Sequence, residues 1–395
     1  MMRVALICDF AEENWPSMDL VAEMLVENLH ADYRTVIEAT AMRPRMIPRF
    51  ARLPFVRKKR GASNLDRLVN RFWDYPRRLL RQGRDFDLYH VLDHSYAQLV
   101  NQLPAERTMV TCHDLDTFRC LLDPEREPRP RLFRAMAGRI LGGLRRAERV
   151  SCASVATRDQ ILAHGLLPPE RVVLIPYGVH PACSPNPDPS ADAETSRLLG
   201  PSGADTIDIL HVGSTIARKR IDTLLRVTAA VRRGFHRVRL VRIGSPFTAD
   251  QCRLIAELDL GRSILQLPFV ERPVLAAVYR RAALMMLPSE REGFGLPVIE
   301  AMACGTPVVA SDLPALREAG GKAATYCPAT DVGAWSKTIT GLLRERRNWP
   351  ERWDERRSDA LAWAGRFSWR EYTRQTVRIY EEMLCRQASS ASILQ

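Results

Sequence analysis

The sequence lacks the features of a secreted, zinc-binding or membrane-spanning protein. Its nine cysteines are scattered without a C-x-x-C pair, which is typical of a reducing compartment and argues against a structural zinc site. No run approaches the roughly 20 uncharged apolar residues that a membrane span needs. The opening stretch "MMRVALICDF" soon reaches acids, as a first strand does and a signal peptide does not. We therefore expect a cytoplasmic protein.

Two common nucleotide-binding motifs are also missing. The pattern GxxxxGK[ST] does not occur, and no GxGxxG follows an apolar run that reads as a strand. The first absence excludes a P-loop site, and the second argues against dinucleotide redox chemistry.

The pattern of apolar runs predicts an α/β protein of two domains. At 395 residues the chain is too long for one ordinary core. Short buried strands alternate with amphipathic helices, which indicates parallel sheets wrapped on both faces. We predict two doubly wound, Rossmann-like domains over 1–180 and 206–370. A Pro/Ser/Asp-rich linker over 181–205 joins them, and a final amphipathic helix over 371–395 needs a surface to pack on.

The stretch "SEREGFGLPVIEAMACGTPVVASD" (289–312) predicts an anion site. A strand ends just before it, and a helix begins near Pro297, where proline is well tolerated. Gly293 and Gly295 let the backbone approach a ligand, and the helix start favours an anion. Glu292 and Glu300 then flank the site and can accept hydrogen bonds from sugar hydroxyls. As an isolated pair, these acids also fit a cap and a solvated helix face.

A second stretch, "LHVGSTIARKRIDTLLRV", places two cations beside a glycine turn. Gly213 and Ser214 follow a strand, and Arg218 and Lys219 come just before a helix. Such a combination suits a diphosphate whose negative charge grows during a reaction. Alone, the basic run is more often a solvated turn.

Together these motifs resemble those of the retaining glycosyltransferases of the GT-B fold, family four, the "group one" transferases. The block "EGFGLPVIEAMACGTPVVASD", the "GS…RK" element, "IPYGV" and the closing "FSW…Y" all match that family. The resemblance covers nearly the whole chain. It implies two Rossmann-like domains that face a central cleft, with the donor in the second domain and the acceptor in the first. It also implies that the final helix, 371–395, crosses back onto the first domain.

The resemblance also implies a role for individual residues on the donor side. Glu292 and the backbone after it hold the transferred sugar, Glu300 binds the ribose, and the basic pair binds the diphosphate. The implied donor contacts are Gly213, Ser214, Arg218, Lys219, Glu292, Gly293, Phe294, Gly295, Leu296 and Glu300, with Phe269 and Val270 of "QLPFVER" at the nucleobase. The base is uridine or guanosine.

On the acceptor side, His113 of "TMVTCHDLDTF" is the main candidate. It ends a strand, and by resemblance it contacts the donor sugar near the reacting carbon, so we predict it to be catalytic with Glu292. Asp93, His94 and Ser95 lie on a strand-to-helix turn, and capping and acceptor binding remain equal alternatives for them.

The acceptor side also contains two exceptions to the patterns of glycosyltransferases. Asp114-Leu-Asp116 spells the DxD triplet that holds a metal in a different glycosyltransferase fold, but here we expect it to start a helix and assign no metal. The glycine-rich first loop of the family is replaced by "AEENWPSMDL". There, Trp15 and Ser17 are weaker acceptor-side candidates.

The basic charge is concentrated in one segment. Between Arg43 and Arg84 the chain has fourteen Lys/Arg residues and two acids, a local excess that equals the whole net charge of +12. A helix begins near Ser63, where Ser63 and Asp66 fit a capping box. Upstream, the segment 43–60 mixes cations with aromatics and prolines, as surface-binding segments do. We expect it to contact an anionic membrane rather than nucleic acid.

The sequence therefore predicts a retaining, metal-independent glycosyltransferase with no cofactor beyond its UDP- or GDP-linked sugar. The acceptor is a hydroxyl of a glycan, a lipid-linked compound or a small molecule, as in polysaccharide or glycoconjugate synthesis. Alternatives are a nucleotide-sugar epimerase of the same fold, a non-catalytic nucleotide-sugar-binding protein, and a basic nucleic-acid binder.

Overall fold

The computed structural model describes residues 1–13, 15–52, 60–81, 86–200 and 206–393. The chain divides into two compact units. Unit 1 comprises Met1–Gly178 and Trp369–Gln395, and unit 2 comprises Val179–Ser368. Unit 1 therefore takes both ends of the chain, whereas unit 2 is one continuous segment.

Unit 1 is built around a six-stranded parallel sheet. The spatial order is β2-β1-β3-β4-β5-β6. The strands are β1 (Met2–Ile7), β2 (Ile37–Met42), β3 (Leu88–Val91), β4 (Thr108–Cys112), β5 (Arg149–Cys152) and β6 (Val172–Leu174). Strands β3, β4 and β5 are buried along their whole length, as in a sheet covered on both faces. The chain places β2 on one side of β1 and then β3 to β6 on the other side. The strand order therefore reverses between β1 and β3, which we call the reversal point of this sheet.

The helices that precede unit 2 in the chain flank this sheet. They are α1 (Pro16–Asp32), α2 (Arg60–Val69), α3 (Tyr75–Arg81), α4 (Arg119–Leu122), α5 (Arg131–Arg146) and α6 (Val155–Ala163). One turn of π-helix, Asn70–Asp74, joins α2 to α3. The predicted capping box is wrong, because Ser63 lies inside α2. Asp66 instead accepts hydrogen bonds from the backbone N–H groups of residues 49–51.

Unit 2 contains a second six-stranded parallel sheet, of order β12-β11-β10-β7-β8-β9. Its strands are β7 (Ile207–Val212), β8 (Val238–Ile243), β9 (Ile264–Leu267), β10 (Leu284–Leu287), β11 (Val308–Ser311) and β12 (Thr325–Cys327). The chain places β8 and β9 on one side of β7 and then β10 to β12 on the other side, so the strand order of this sheet reverses between β7 and β10. In open α/β sheets, ligands bind at the carboxyl ends of strands at such a reversal. The prediction of two doubly wound parallel-sheet domains is confirmed.

The helices of unit 2 include one that the sequence did not predict. They are α7 (Pro189–Leu199), α8 (Ile221–Arg232), α9 (Ala249–Glu257), α10 (Arg272–Arg281), α11 (Leu296–Ala303), α12 (Pro314–Gly320), α13 (Val332–Asn348) and α14 (Pro350–Ala364). Helix α7 lies inside the predicted linker 181–205. Asp188 caps it by accepting hydrogen bonds from two backbone N–H groups, and Asp192 pairs with Arg280 of α10 at 2.7 Å. The segment is therefore packed structure rather than a plain connector.

The final helix, α15 (Trp369–Ile393), completes unit 1. The Trp369 ring stacks on Tyr177 with centroids 5.7 Å apart. The Tyr380 hydroxyl lies 2.7 Å from Nδ1 of His90, and the other ring nitrogen of His90 bonds Thr111. Both residues are fully buried, and burial lowers the pKa of His90 to about 3, so its ring is neutral. Among the described helices, none combines the length and apolar character needed to cross a membrane.

We expect Tyr380→Phe to lower the free energy of unfolding of unit 1 by about 1–3 kcal/mol, because it leaves a buried ring nitrogen of His90 without a partner. Urea denaturation measures the effect. Arg378→Gln on the same helix is the control. Its ion pair with Glu382 is solvent-exposed and should contribute about 0.5 kcal/mol or less. Equal stabilities of the two variants would show that the Tyr380 hydroxyl does not fasten α15.

Candidate active site

The carboxyl ends of β7 and β10 bring together the two motifs that were predicted to form the donor site. Strand β7 is followed by Gly213 and Ser214, and then by a 3-10 turn, Ala217–Lys219, just before α8. Strand β10 is followed by Ser289 and Glu292. The backbone N–H of Glu290 donates to the carbonyl of Arg218 at 2.7 Å, so the two loops are bonded directly.

Glu292 pairs with both of the predicted diphosphate cations. Its Oε1 lies 2.5 Å from Nζ of Lys219, and its Oε2 lies 3.3 Å from Nη1 of Arg218. The Ser289 hydroxyl donates to Oε1 at 2.6 Å. Burial raises the pKa of Glu292, but Lys219 and then Arg218 lower it by more, so the net pKa lies below the ordinary value. The site therefore holds an ionised carboxylate between two cations.

Glu300 lies in a different environment from Glu292. It is buried on α11, and the Tyr279 hydroxyl donates to its Oε2 at 3.2 Å. Burial raises the pKa of Glu300 above the ordinary value, against the opposing charge of Arg272. The pKa values of these two acids, eight positions apart, are thus shifted in opposite directions, which is the pattern expected of carboxylates with separate tasks.

The loop that leads into α11 depends on a glycine. Gly295 has φ +109°, and a Cβ there would come within 2.7 Å of Leu316. Only glycine fits this position without strain. Pro297 follows in the first turn of α11, as predicted. Of the predicted sugar contacts, the Phe294 side chain is buried and packs on Phe367 with ring centroids 5.7 Å apart, so it supports the loop from inside.

The predicted nucleobase residues follow the neighbouring strand β9. Phe269 is 39% exposed, and Val270 is half-buried. The Phe269 ring lies 3.4 Å from where a Cβ on Gly244 would sit, at the end of β8. That same Cβ would overlap the carbonyl oxygen of Gly213. Gly244 is therefore required for the ends of β7 and β8 to lie so close together.

The sequence reasoning missed a row of polar side chains on the strands that lead into the glycine turn, two of which are buried. His211, Arg242 and Gln266 stand in register across β7, β8 and β9. Arg242 is fully buried, and no carboxylate among the described residues pairs with it. It donates to Gln266 Oε1 at 2.7 Å and to the carbonyl of Gly213 at 3.0 Å. Burial lowers its pKa to about 10, so it stays a cation at neutral pH.

This row fixes the backbone of the glycine turn. Because a peptide unit is planar and trans, a Gly213 carbonyl that points at Arg242 directs the N–H of Ser214 the opposite way. Neither ring nitrogen of His211 has a hydrogen-bond partner in the described part of the chain. Burial, and then the charges of Arg242 and Lys219, lower the pKa of His211. The signal in the sequence was an arginine inside the strand pattern "VRLVRI".

In unit 1, His113 lies at the end of β4, as predicted, and both of its ring nitrogens are engaged. Nε2 lies 2.8 Å from the carbonyl oxygen of Leu92, and Nδ1 bonds the hydroxyl of Tyr177. Burial lowers the pKa of His113. A neutral ring that donates from Nε2 and accepts at Nδ1 satisfies both bonds.

The turn after β3 combines a cap with an acid pair. Asp93 accepts from the N–H of Ser95 at 2.7 Å and from its hydroxyl at 2.6 Å, which is the capping geometry. Burial raises the pKa of Asp93, but the neighbouring histidines and Ser95 hold it at about 2. Asp9, which follows β1, was not predicted as a site residue. Burial, and then Asp93, raise its pKa well above the ordinary value. Asp9, with its raised pKa, thus lies beside Asp93, whose pKa is lowered, at the reversal point of this sheet.

The remaining acceptor-side candidates lie near these groups in the chain. Trp15 is 42% exposed just before α1, and Ser17 is exposed in its first turn. His94 Nε2 lies 3.7 Å from Asp114, and Asp114 accepts from the N–H of Asp116, where a 3-10 turn begins. No group of three or more His, Cys, Asp or Glu side chains in the described ranges could hold a metal ion.

Family models match both halves of the chain. "Glycosyl transferase 4-like domain" matches residues 18–178, and "Glycosyl transferases group 1" matches residues 200–359. The chain belongs to the group 1 glycosyltransferases. The resemblance inferred from the sequence motifs is thereby confirmed, and the protein is an enzyme of the transferase class.

Relatives of this group 1 glycosyltransferase act on different molecules. It is 31% identical to the O-antigen chain mannosyltransferase B of Escherichia coli over 70% of each chain. It is also 31% identical to the D-inositol 3-phosphate glycosyltransferase of Kineococcus radiotolerans, over 62% of this chain and 60% of that protein.

Solved structures share the fold of this group 1 glycosyltransferase. Sucrose-phosphate synthase from Thermosynechococcus elongatus superposes with a TM-score of 0.72 at 22% identity, over 98% of this chain and 100% of that one. HepE from Anabaena, solved with UDP and glucose, gives a TM-score of 0.70 at 16% identity, over 96% and 100%. The architecture is the GT-B fold of glycosyltransferases.

Proposed function

We propose that this enzyme is a retaining glycosyltransferase that moves a sugar from a nucleoside-diphosphate sugar to an acceptor hydroxyl. The observation that carries the proposal is the cluster of Lys219, Arg218 and Glu292 at the reversal point of the unit 2 sheet. In the reaction the bond between the anomeric carbon and the diphosphate oxygen breaks, and a bond from that carbon to the acceptor oxygen forms. The acceptor proton leaves with the diphosphate, on whose side the acceptor attacks.

The cations are suited to stabilise the leaving group. Negative charge develops on the diphosphate as the bond breaks, and fixed donors aimed at developing charge often contribute most to the acceleration of a reaction. Glu292 holds Lys219 and Arg218 in place and, as its family position implies, accepts a hydrogen bond from the transferred sugar. His113, by its family position, would also contact that sugar.

The nucleoside would lie toward β9. Glu300 is the ribose ligand in this proposal, and Phe269 and Val270 contact the uracil or guanine base. The HepE structures support a nucleotide-sugar donor, since they were solved with UDP and with UDP-glucose. On the acceptor side, Asp93, His94 and Ser95 lie at the reversal point of the other sheet, with Trp15 and Ser17 close in sequence to that edge.

We further propose that no metal takes part, because Arg218, Lys219 and the buried Arg242 supply positive charge around the diphosphate site. Transfer should then be unchanged by EDTA. The product should keep the anomeric configuration of the donor, which NMR of the glycoside shows directly. Loss of activity in EDTA that Mg²⁺ restores would contradict the metal-free proposal alone.

The deciding experiment is a panel of UDP- and GDP-linked sugars scored by thermal shift and then by turnover. A donor present at 100 times its Kd should stabilise the protein by about 2.7 kcal/mol. The stabilising donor should then yield free nucleoside diphosphate and a glycosylated acceptor. Interconversion of sugars without an acceptor would indicate an epimerase, and binding without turnover a nucleotide-sugar-binding protein.

We also propose that the enzyme works in the cytoplasm, in polysaccharide or glycoconjugate synthesis, and docks on anionic membranes through residues 43–60. Residues 53–59 of this segment lie outside the described part of the chain. Two of its other cations already have partners, since Arg43 pairs with Asp19 and Arg49 with Asp74. Docking would therefore depend on the remaining cations, which contribute about 1 kcal/mol each near such a surface.

Vesicle co-sedimentation tests the docking. We expect the native protein to sediment with phosphatidylglycerol vesicles at low salt and less so at physiological salt, where screening shortens to about 8 Å. Changing Arg57, Lys58, Lys59 and Arg60 to Ser should abolish most of this binding. If lipid charge makes no difference, or both proteins sediment equally, the segment does not dock on membranes.

A further inference from the structure

Unit 1 has a cavity of about 430 Å³ that no part of the donor site uses. The loop after β2 forms one wall, and the helical segment from Asn70 to Arg81 forms the other. Phe10 and Tyr75 also line it. The Tyr75 hydroxyl donates to the carbonyl of Cys8 at 2.8 Å, which fixes the cavity next to the carboxyl end of β1. In this type of sheet, that edge is where ligands bind.

The cavity is strongly basic. Among the described residues that line it, five are arginines and one, Asp74, is an acid. Arg49 donates to both carboxylate oxygens of Asp74, at 2.6 and 2.8 Å, so this pair is neutral. The other four arginines pair with no carboxylate in the described residues; they are Arg45, Arg77, Arg78 and Arg81. Four like charges around one concave surface repel each other, and a bound anion would relieve that repulsion.

Buried polar side chains fix the loop that forms the first wall. Asp66 accepts hydrogen bonds from the backbone N–H groups of Arg49, Phe50 and Ala51 at 2.8–2.9 Å. One turn further along the helix, Asn70 bonds both the N–H and the carbonyl of Ile47, at 2.7 and 3.0 Å. Both side chains are buried. The cations on this wall therefore stand on an ordered backbone, which lowers the entropy that binding would cost.

Trp73 adds apolar surface at the cavity. Its ring is 56% exposed, and the guanidinium carbon of Arg77 lies 3.3 Å from a ring centroid. With Phe10 and Tyr75 it gives the cavity aromatic surface beside the cations. Such a lining suits a phosphate that is attached to a carbon skeleton better than a bare ion.

We propose that this cavity binds a phosphate group of the acceptor, so that the enzyme glycosylates a phosphorylated compound. The inference rests on the proposed transferase function and names its acceptor class. Guanidinium groups recognise phosphate through paired hydrogen bonds, and four of them here are not engaged with any carboxylate of the described residues. The volume accommodates a molecule of the size of a sugar phosphate.

Isothermal titration tests the proposal in the full chain. A first titration with UDP and with GDP establishes that unit 2 binds a nucleoside diphosphate. The nucleotide is then kept saturating, so that the unit 2 site is filled, and inorganic phosphate, glucose 6-phosphate and glucose are titrated in turn. We expect the two phosphates to bind and glucose alone not to. Arg78→Gln/Arg81→Gln should weaken phosphate binding at least tenfold and leave nucleotide affinity unchanged.

Arg131→Gln/Arg134→Gln is the matched control, because it removes the same charge from exposed positions at the start of α5. It should bind both phosphates as the wild type does. The proposal is wrong if the nucleotide-saturated wild type binds neither phosphate, or if the two double variants bind them equally. It is also wrong if Arg78→Gln/Arg81→Gln keeps its affinity for both phosphates and loses only its binding to phosphatidylglycerol vesicles. Failure of the first titration would instead count against the proposed function.

Discussion

Replacement of Lys219 by Ala is expected to lower turnover by roughly 10²–10³-fold, the scale seen when one positioned donor to developing charge is removed. Lys219 stands at the reversal point of the unit 2 sheet and lies 2.5 Å from Glu292. In the proposed site, the leaving diphosphate would keep Arg218 but lose the compact ammonium charge of Lys219. Initial rates with a saturating nucleotide sugar measure the effect.

Arg220→Gln is the control for Lys219→Ala. Arg220 is the next residue in the same basic run, but it forms a bidentate pair with Asp222. Its loss should leave turnover within a few-fold of wild type. Because Lys219→Ala leaves Glu292 buried with one partner fewer, thermal unfolding must show that the variant is folded at the assay temperature. Near wild-type turnover in the folded variant would remove Lys219 from the diphosphate site.

Glu300→Ala and Glu292→Ala should separate nucleotide binding from sugar transfer. We expect Glu300→Ala to weaken nucleoside diphosphate binding by roughly 10- to 150-fold, the equivalent of a charge-assisted hydrogen bond. Glu292→Ala should bind the nucleoside diphosphate at least as well as the wild type, since Lys219 and Arg218 are released from the acid. Its transfer rate should fall by roughly 10²-fold, because the sugar is no longer held in place.

The pH dependence of nucleotide affinity provides an independent check on Glu300. A carboxylate accepts hydrogen bonds from ribose hydroxyls better than a carboxylic acid does, and the pKa of Glu300 is raised by burial. The advantage of the wild type over Glu300→Ala should therefore be full above this raised pKa and should shrink as the pH falls through it. If Glu300→Ala, like Glu292→Ala, binds nucleoside diphosphate as the wild type does, the ribose role of Glu300 is wrong.

Local patterns were sufficient to predict both sheets and the loop around Glu292. Each of these signals lies within a short stretch: a buried strand, a glycine turn, and a proline in the first turn of α11. Helix α7 shows the limit of composition as a guide. Asp188 and Pro189 are ordinary helix-start residues, but the many prolines and serines around them favoured a linker.

Contacts between distant segments were beyond the sequence. Asp66 fits a helix cap by spacing, but it bonds backbone groups 15–17 residues away. The importance of Arg242 depends on which strands neighbour β8 and on their register, since His211 and Gln266 come from different parts of the chain. Local propensity contains no information on such partners, so these groups became visible only in the fold.

The division of unit 1 between the two ends of the chain has a consequence for biosynthesis. A ribosome releases the chain from its amino end, so residues 1–178 emerge before unit 2 and α15 emerges after it. At 5–20 residues per second, the 190 residues of unit 2 take about 10–40 s to make. Throughout that interval the surface that Val377, Tyr380 and Met383 later bury is uncovered. Unit 2, although translated second, is therefore the first of the two units to have its whole chain available for folding.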